Sequence, residues 1–216
     1  VHPLDRIIRA DDPYGTTTSS SSSSVGGGNG VACARAGAVS FSAFAFMFSE
    51  MCNRANQVPT KVKSVEEAED RLAALGHQVG VRSLPLAALR EPQSFRQRPT
   101  TTEAALKLIS ERLWTRWFGK VAETSKESSS NRYFIVDPDP LLIRHIHPTP
   151  DYMDTSDGKW FMTHASFVGG MIRGVLEDFG FPAKVSSHHA PEPDAPRTTW
   201  YVIVFEPHVE ERVRRL

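Results

Sequence analysis

Ala165-Ser-Phe-Val-Gly-Gly-Met-Ile-Arg-Gly-Val-Leu-Glu-Asp-Phe-Gly-Phe-Pro182 is the stretch on which the fold turns. Val168, Met171, Ile172, Val175 and Phe179 recur at the three- and four-residue steps of a helix and share one face. Gly180 followed by Pro182 stops it. Downstream, Ala183 to His188 and Thr198 to Phe205 read as strands, separated by the proline-rich run Pro191 to Arg197. In the second strand Trp200, Val202 and Val204 alternate with Tyr201, Ile203 and Phe205. Both of its faces are apolar, so a strand covered on each side is expected.

Upstream, Arg132 to Val136 and Leu141 to His147 read as strands flanking an Asp-Pro-Asp-Pro turn, because Pro138 and Pro140 exclude regular helix and ladder there. A hairpin is the economical reading. Before it, Leu106, Ile109, Leu113 and Trp117 mark an amphipathic helix with Gly119 near its end, preceded by a loop from Glu91 to Thr102 that holds Pro92 and Pro99. Another helix opens at Ser64, with Glu67 completing a capping box, and carries Val65, Ala68, Leu72, Leu75 and Val79 along one stripe. Gly76 and Gly80 sit one turn apart in it. Each costs roughly 1 kcal/mol of helix stability, so the pair marks either close approach of another backbone or a helix ending near Gly80. The first helix begins near Val39, with Phe41, Phe44, Ala45, Phe48, Cys52 and Ala55 on its core face. Phe46 projects about 140° from Phe41, and Met47 widens the stripe, so this helix is more apolar than one core requires.

The order helix, helix, helix, hairpin, helix, hairpin gives an α/β (α+β) layer: about four main helices packed on a twisted antiparallel sheet. Residues 39–216 form this single domain. Residues 1–38 read as a flexible arm, because the serine run Ser19 to Ser24 and Gly26, Gly27, Gly28 and Gly30 offer too little apolar surface to offset chain entropy. The chain has 216 residues, 40% of them apolar, enough for one substantial core. Lys plus Arg equal Asp plus Glu at 25 each, so no overall pull toward nucleic acid or anionic membrane is expected. Cys33 and Cys52 lack partners at metal or disulfide spacing, which fits a reducing cytoplasmic setting. No run approaches the roughly 18 apolar residues of a membrane span, and residues 1–30 lack a signal-peptide pattern, so any membrane role is peripheral.

The search for chemistry yields little. His145 and His147 alternate on one expected strand face, but no third metal ligand can be named, and His188 and His189 point to opposite faces. Asp137 and Asp139 resemble an acid–base pair, yet each precedes a proline in a turn, where aspartate serves backbone hydrogen bonding. Gly169, Gly170 and Gly174 form GGxxxG inside an apolar helix rather than after a strand, so they favour tight packing over phosphate cradling. No nucleophile elbow or phosphate loop occurs. Catalytic residues, cofactors and a metal are therefore not expected.

Val39-Ser-Phe-Ser-Ala-Phe-Ala-Phe-Met-Phe-Ser-Glu50, Arg71-Leu-Ala-Ala-Leu-Gly-His-Gln-Val-Gly-Val-Arg82, Leu113-Trp-Thr-Arg-Trp-Phe-Gly-Lys120 and Ala165-Ser-Phe-Val-Gly-Gly-Met-Ile resemble TRAPP small subunits of the bet-three-like family. Gly180-Phe-Pro-Ala-Lys-Val185 narrows the resemblance to the subunit-five type. It runs from about Val39 to Val204 and implies the same helices-on-sheet fold. It also implies a structural place in a vesicle-tethering complex of ER-to-Golgi and Golgi traffic, connecting a bet-three-like partner to a longin-type subunit. That complex would exchange nucleotide on a Rab GTPase through other subunits, peripherally on Golgi or ER-exit membranes. The family's founding member carries an acylated cysteine before the third helix. Arg90 to Thr102 has none, so no acylation is expected here, and the longer turn 149–159 with Asp151, Asp154 and Asp157 stands apart from the family pattern. A lipid-sized ligand site between aromatic helices is the alternative reading.

Two partner surfaces are expected. One is the first two helices, through Phe46, Met47, Gly76 and Gly80. The other is the loop Glu91 to Thr102 with the helix end Trp117 to Val121, where Trp114 and Phe118 depart from the core stripe and either meet a partner or cover the sheet.

Overall fold

The computed structural model describes residues 40–56, 65–93, 95, 97–127, 130–144, 146 and 164–215. The expectations for residues 1–38, Ser64, His145, His147 and 149–159 lie outside them. Five helices and a four-stranded antiparallel sheet make up the described chain. They are α1 (Phe41–Asn56), α2 (Val65–Arg90) and α3, which runs Thr102–Lys107, Leu108–Leu113 and Trp114–Phe118. Then come β1 (Glu123–Lys126), β2 (Arg132–Asp137), α4 (Ser166–Asp178), β3 (Ala183–His189), β4 (Thr199–Phe205) and α5 (Pro207–Arg214).

Helix α4 is central, and its residues are buried on nearly every side. One side joins the main core with α3 and the sheet, including Ile109, Leu113, Ile135, Ile172, Tyr201 and Ile203. Phe167 and Met171 on the other side join a second core with Phe48 and Cys52 of α1 and Ala68 and Leu72 of α2. The helix ends in a Schellman motif: Gly180 at φ 81° lets its N–H reach the Glu177 carbonyl at 2.9 Å while Phe181 N–H reaches that of Leu176 at 2.8 Å.

The sheet order is β1-β2-β4-β3. Strand β2 pairs with β4 from Arg132↔Val204 to Asp137↔Thr199, and β3 pairs with β4 as the expected second hairpin. The first hairpin is a correction. The partner of β2 is β1, which precedes it, and Leu141–Arg144 forms a turn rather than a strand. Lys120 holds that turn in place: its Nζ meets buried Asp137 Oδ1 at 2.5 Å and the Asp139 carbonyl at 2.6 Å, while Asp139 N–H donates to Asp137 Oδ1 at 3.0 Å. The chain after β2 is thereby tied down at the end of α3. A second correction concerns β4. Its Trp200, Val202 and Val204 face is only half covered, with Phe134 edge-on to Trp200 at 5.5 Å, so the helices cover one side of this strand.

Helix α2 also departs from its expected stripe. The buried line runs Ala68, Leu72, Gly76, Gly80, Leu84 and Ala87, while Leu75 and Val79 turn outward. The reason is the backbone of α4. A Cβ on Gly76 would stand 1.8 Å from the Phe167 carbonyl oxygen, and one on Gly80 2.2 Å from that of Met171. Conversely, Cβ atoms on Gly170 and Gly174 would stand 2.0 and 2.4 Å from the carbonyls of Ala73 and His77. The two helices interlock backbone to backbone, and the helix continues well past Gly80.

Candidate partner interface

Outside these cores, α1 and α2 present apolar side chains to solvent. Phe46 is 78% exposed, Met47 55% and Leu89 80%, and Leu75, Val79 and Leu86 are also exposed. At 100° per residue, Leu75, Val79, Leu86 and Leu89 fall within about 80° of one another on α2. Their spacing is visible in the sequence, but the stripe Val65, Ala68, Leu72, Leu75 and Val79 puts two of them in the core and stops short of Leu86 and Leu89. A large exposed phenylalanine beside a methionine is the composition of a contact patch, since charged side chains would serve a solvated face equally well.

The other expected interface residues are placed differently. Gly76 and Gly80 do permit close approach, but the backbone they meet is that of α4 in the same chain. Trp114 has 0% exposure and packs edge-on to Tyr201 at 5.5 Å and Phe118 at 5.0 Å. Phe118 is half-buried against the main core. Trp114 is thus enclosed against the sheet, while Phe118 keeps part of its surface. The cause is the middle of α3, which is π-helical from Leu108 to Leu113; its i→i+5 turns advance each residue through a smaller angle and swing Trp114 inward.

The charged groups near α3 are structural. Asp139 also receives Arg144 Nη2 at 2.5 Å and Arg197 Nη1 at 3.4 Å. Partial burial pushes its carboxyl up, but the Arg144 guanidinium outweighs this, with Arg197 and Lys120 adding, and holds it below the usual carboxylate range. The Tyr201 phenol, fully buried and close to the Asp137 charge, is raised well above its ordinary value. Burial likewise pushes the Cys52 thiol up to about 12, which leaves it a neutral core group. Because Asp137 is 2% exposed and balances Lys120, Asp137→Asn should cost about 2–4 kcal/mol. A lowered urea midpoint at unchanged slope would show it; an unchanged midpoint would mean the pair is solvated.

Among the described residues there is no group of three or more His, Cys, Asp or Glu arranged to hold a metal, and no helix long and apolar enough to cross a membrane.

Residues 44–206 match the family described as transport protein particle (TRAPP) component. The chain is 34% identical to the human trafficking protein particle complex subunit 5 over 180 residues, covering 82% of this chain and 86% of that protein. Its identity to trafficking protein particle complex subunit 31 of Saccharomyces cerevisiae is 26%, over 80% of this chain and 78% of the other. A crystal structure of subunit 3 from Naegleria fowleri, covalently bound to palmitic acid, matches with TM-score 0.58 at 14% identity, over 77% of this chain and 95% of that one. At that identity the likeness concerns the fold. The chain belongs to the TRAPP component family and is a small subunit of the subunit-five type.

Proposed function

We propose that this chain is a non-catalytic structural subunit of a TRAPP vesicle-tethering complex, joining a bet-three-like neighbour to a longin-type one. The observation that carries the reading is the set of large apolar side chains that α1 and α2 turn to solvent, in a chain whose relatives are named as subunits of such a complex. Burying Phe46, Met47 and Leu89 against a neighbour removes apolar area that is otherwise hydrated, at roughly 25 cal/mol per Å². Exchange on a Rab GTPase then belongs to the assembled complex, which the subunit serves by holding neighbours in place, peripherally on Golgi or ER-exit membranes.

Affinity purification of the tagged chain should bring down a bet-three-like subunit and a longin-type subunit in equal amounts. Recovery as a monomer would end the reading. The isolated chain should also leave fluorescent-nucleotide release from a Rab at its intrinsic rate, since its sequence holds no phosphate loop to compete for the nucleotide. Faster release by the chain alone would show an exchange surface of its own.

A further inference from the structure

The helices cover one face of the sheet, and the other face has a pattern of its own. Register sets Arg132, Phe134 and Val136 of β2 beside Val204, Val202 and Trp200 of β4. All six point away from the core residues Tyr133, Ile135, Tyr201 and Ile203, with which they alternate. An antiparallel sheet with one wetted face normally alternates apolar inward with polar outward. Here the outward positions of both central strands are apolar except Arg132, with Phe134 edge-on to Trp200 at 5.5 Å and Val204 40% exposed.

Charge flanks this apolar centre in two columns. On β1 the outward positions are Glu123 and Ser125, opposite Val136 and Phe134, and Glu127 continues the line, its N–H bonding the Arg132 carbonyl at 3.0 Å. On β3 they are Lys184, Ser186 and His188, opposite Val204, Val202 and Trp200. The face therefore runs from an acidic edge through an apolar centre to a basic edge. Glu123 and Lys184 are exposed and make no ion pair among the described residues. Glu127 accepts the Ser130 hydroxyl, and His188 shares a hydrogen bond with Ser186 at 3.0 Å. Arg132 interrupts the centre only at its end, beside Glu127, where a long side chain extends to the rim.

Such a face is complementary to itself. Stacking two copies about a two-fold axis parallel to the strands lays β1 of one over β3 of the other, and β2 over β4. Glu127 then meets the partner's Lys184, Glu123 meets the partner's His188, and Phe134 and Val136 close on the partner's Val202 and Trp200. A two-fold axis across the strands would set acid on acid. We propose that this outward sheet face pairs with a second copy of the chain. The face measures about 20 Å along the strands and about 19 Å across them. A contact of that size lies at the low end of specific interfaces, so the dimer is weak and depends on concentration. It uses no residue of α1 or α2, and so neither rests on the contact proposed there nor competes with it.

Sedimentation velocity of the purified chain across a wide concentration range tests this, and a reversible monomer–dimer equilibrium is expected. Lys184→Glu and Glu127→Lys each bring like charges together twice across the two-fold axis, so each should weaken dimerisation at least about tenfold. The double variant Glu127→Lys/Lys184→Glu restores opposite charges and should recover the wild-type equilibrium, a rescue that misfolding could not produce. Phe46→Asp should leave the equilibrium unchanged. A monomer at every concentration would overturn the proposal. So would a dimer that Phe46→Asp abolishes, or one that both single reversals leave intact, because the copies would then meet elsewhere.

Discussion

Gly170→Ala is expected to leave little folded protein, whereas Gly169→Ala, one residue away, should be tolerated. The added carbon at position 170 would lie 2.0 Å from the Ala73 carbonyl oxygen, and behind that oxygen stands the backbone of α2, which cannot swing aside like a side-chain tip. The helices must separate, opening both cores that α4 joins. Ordinary overpacking costs about 1–3 kcal/mol. Because backbone meets backbone here, the cost should exceed about 4 kcal/mol, a large part of a domain's stability. At position 169 the carbon would meet Val185 Cγ1 at 3.6 Å, an ordinary contact, and alanine improves helix propensity by up to about 1 kcal/mol. Urea unfolding of both variants reads the difference; equal midpoints would show that α2 and α4 are not locked by their glycines.

The second large effect is on assembly rather than folding. Phe46→Asp changes a side chain that is 78% exposed, so the isolated chain should keep its stability to within about 0.5 kcal/mol. In the proposed interface the same position would become dry, and a carboxylate placed there without a cation would cost several kcal/mol. Affinity for the bet-three-like partner should fall at least about 100-fold, equivalent to about 2.7 kcal/mol. Titration calorimetry with that partner separates the outcomes. Wild-type affinity in the variant would remove α1 from the interface, and parallel loss of stability would mean that Phe46 belongs to this chain's own core.

Periodicity and punctuation alone were enough to determine the helices-on-sheet class, α4 with its Gly180 stop, strands β3 and β4, and the surplus apolar character of Phe46 and Met47, while the family was legible only as a resemblance of whole stretches such as Ala165 to Ile172. Those features are local, because a helix or strand that buries one face writes its period into the side chains it uses. Strand β1 escaped because Glu123, Thr124, Ser125 and Lys126 are all exposed and carry no alternation. The buried stripe of α2 escaped because glycines contribute no hydrophobicity, so the pattern ran through Leu75 and Val79 while the true contact ran through Gly76 and Gly80. Trp114 was misplaced because a π-helical turn changes the angle per residue without a readable mark in composition. Whether β2 pairs forward or backward, which backbone fills a glycine notch and which aromatic rings stay dry are decided between segments far apart in the chain. Only the tertiary structure brings those segments together.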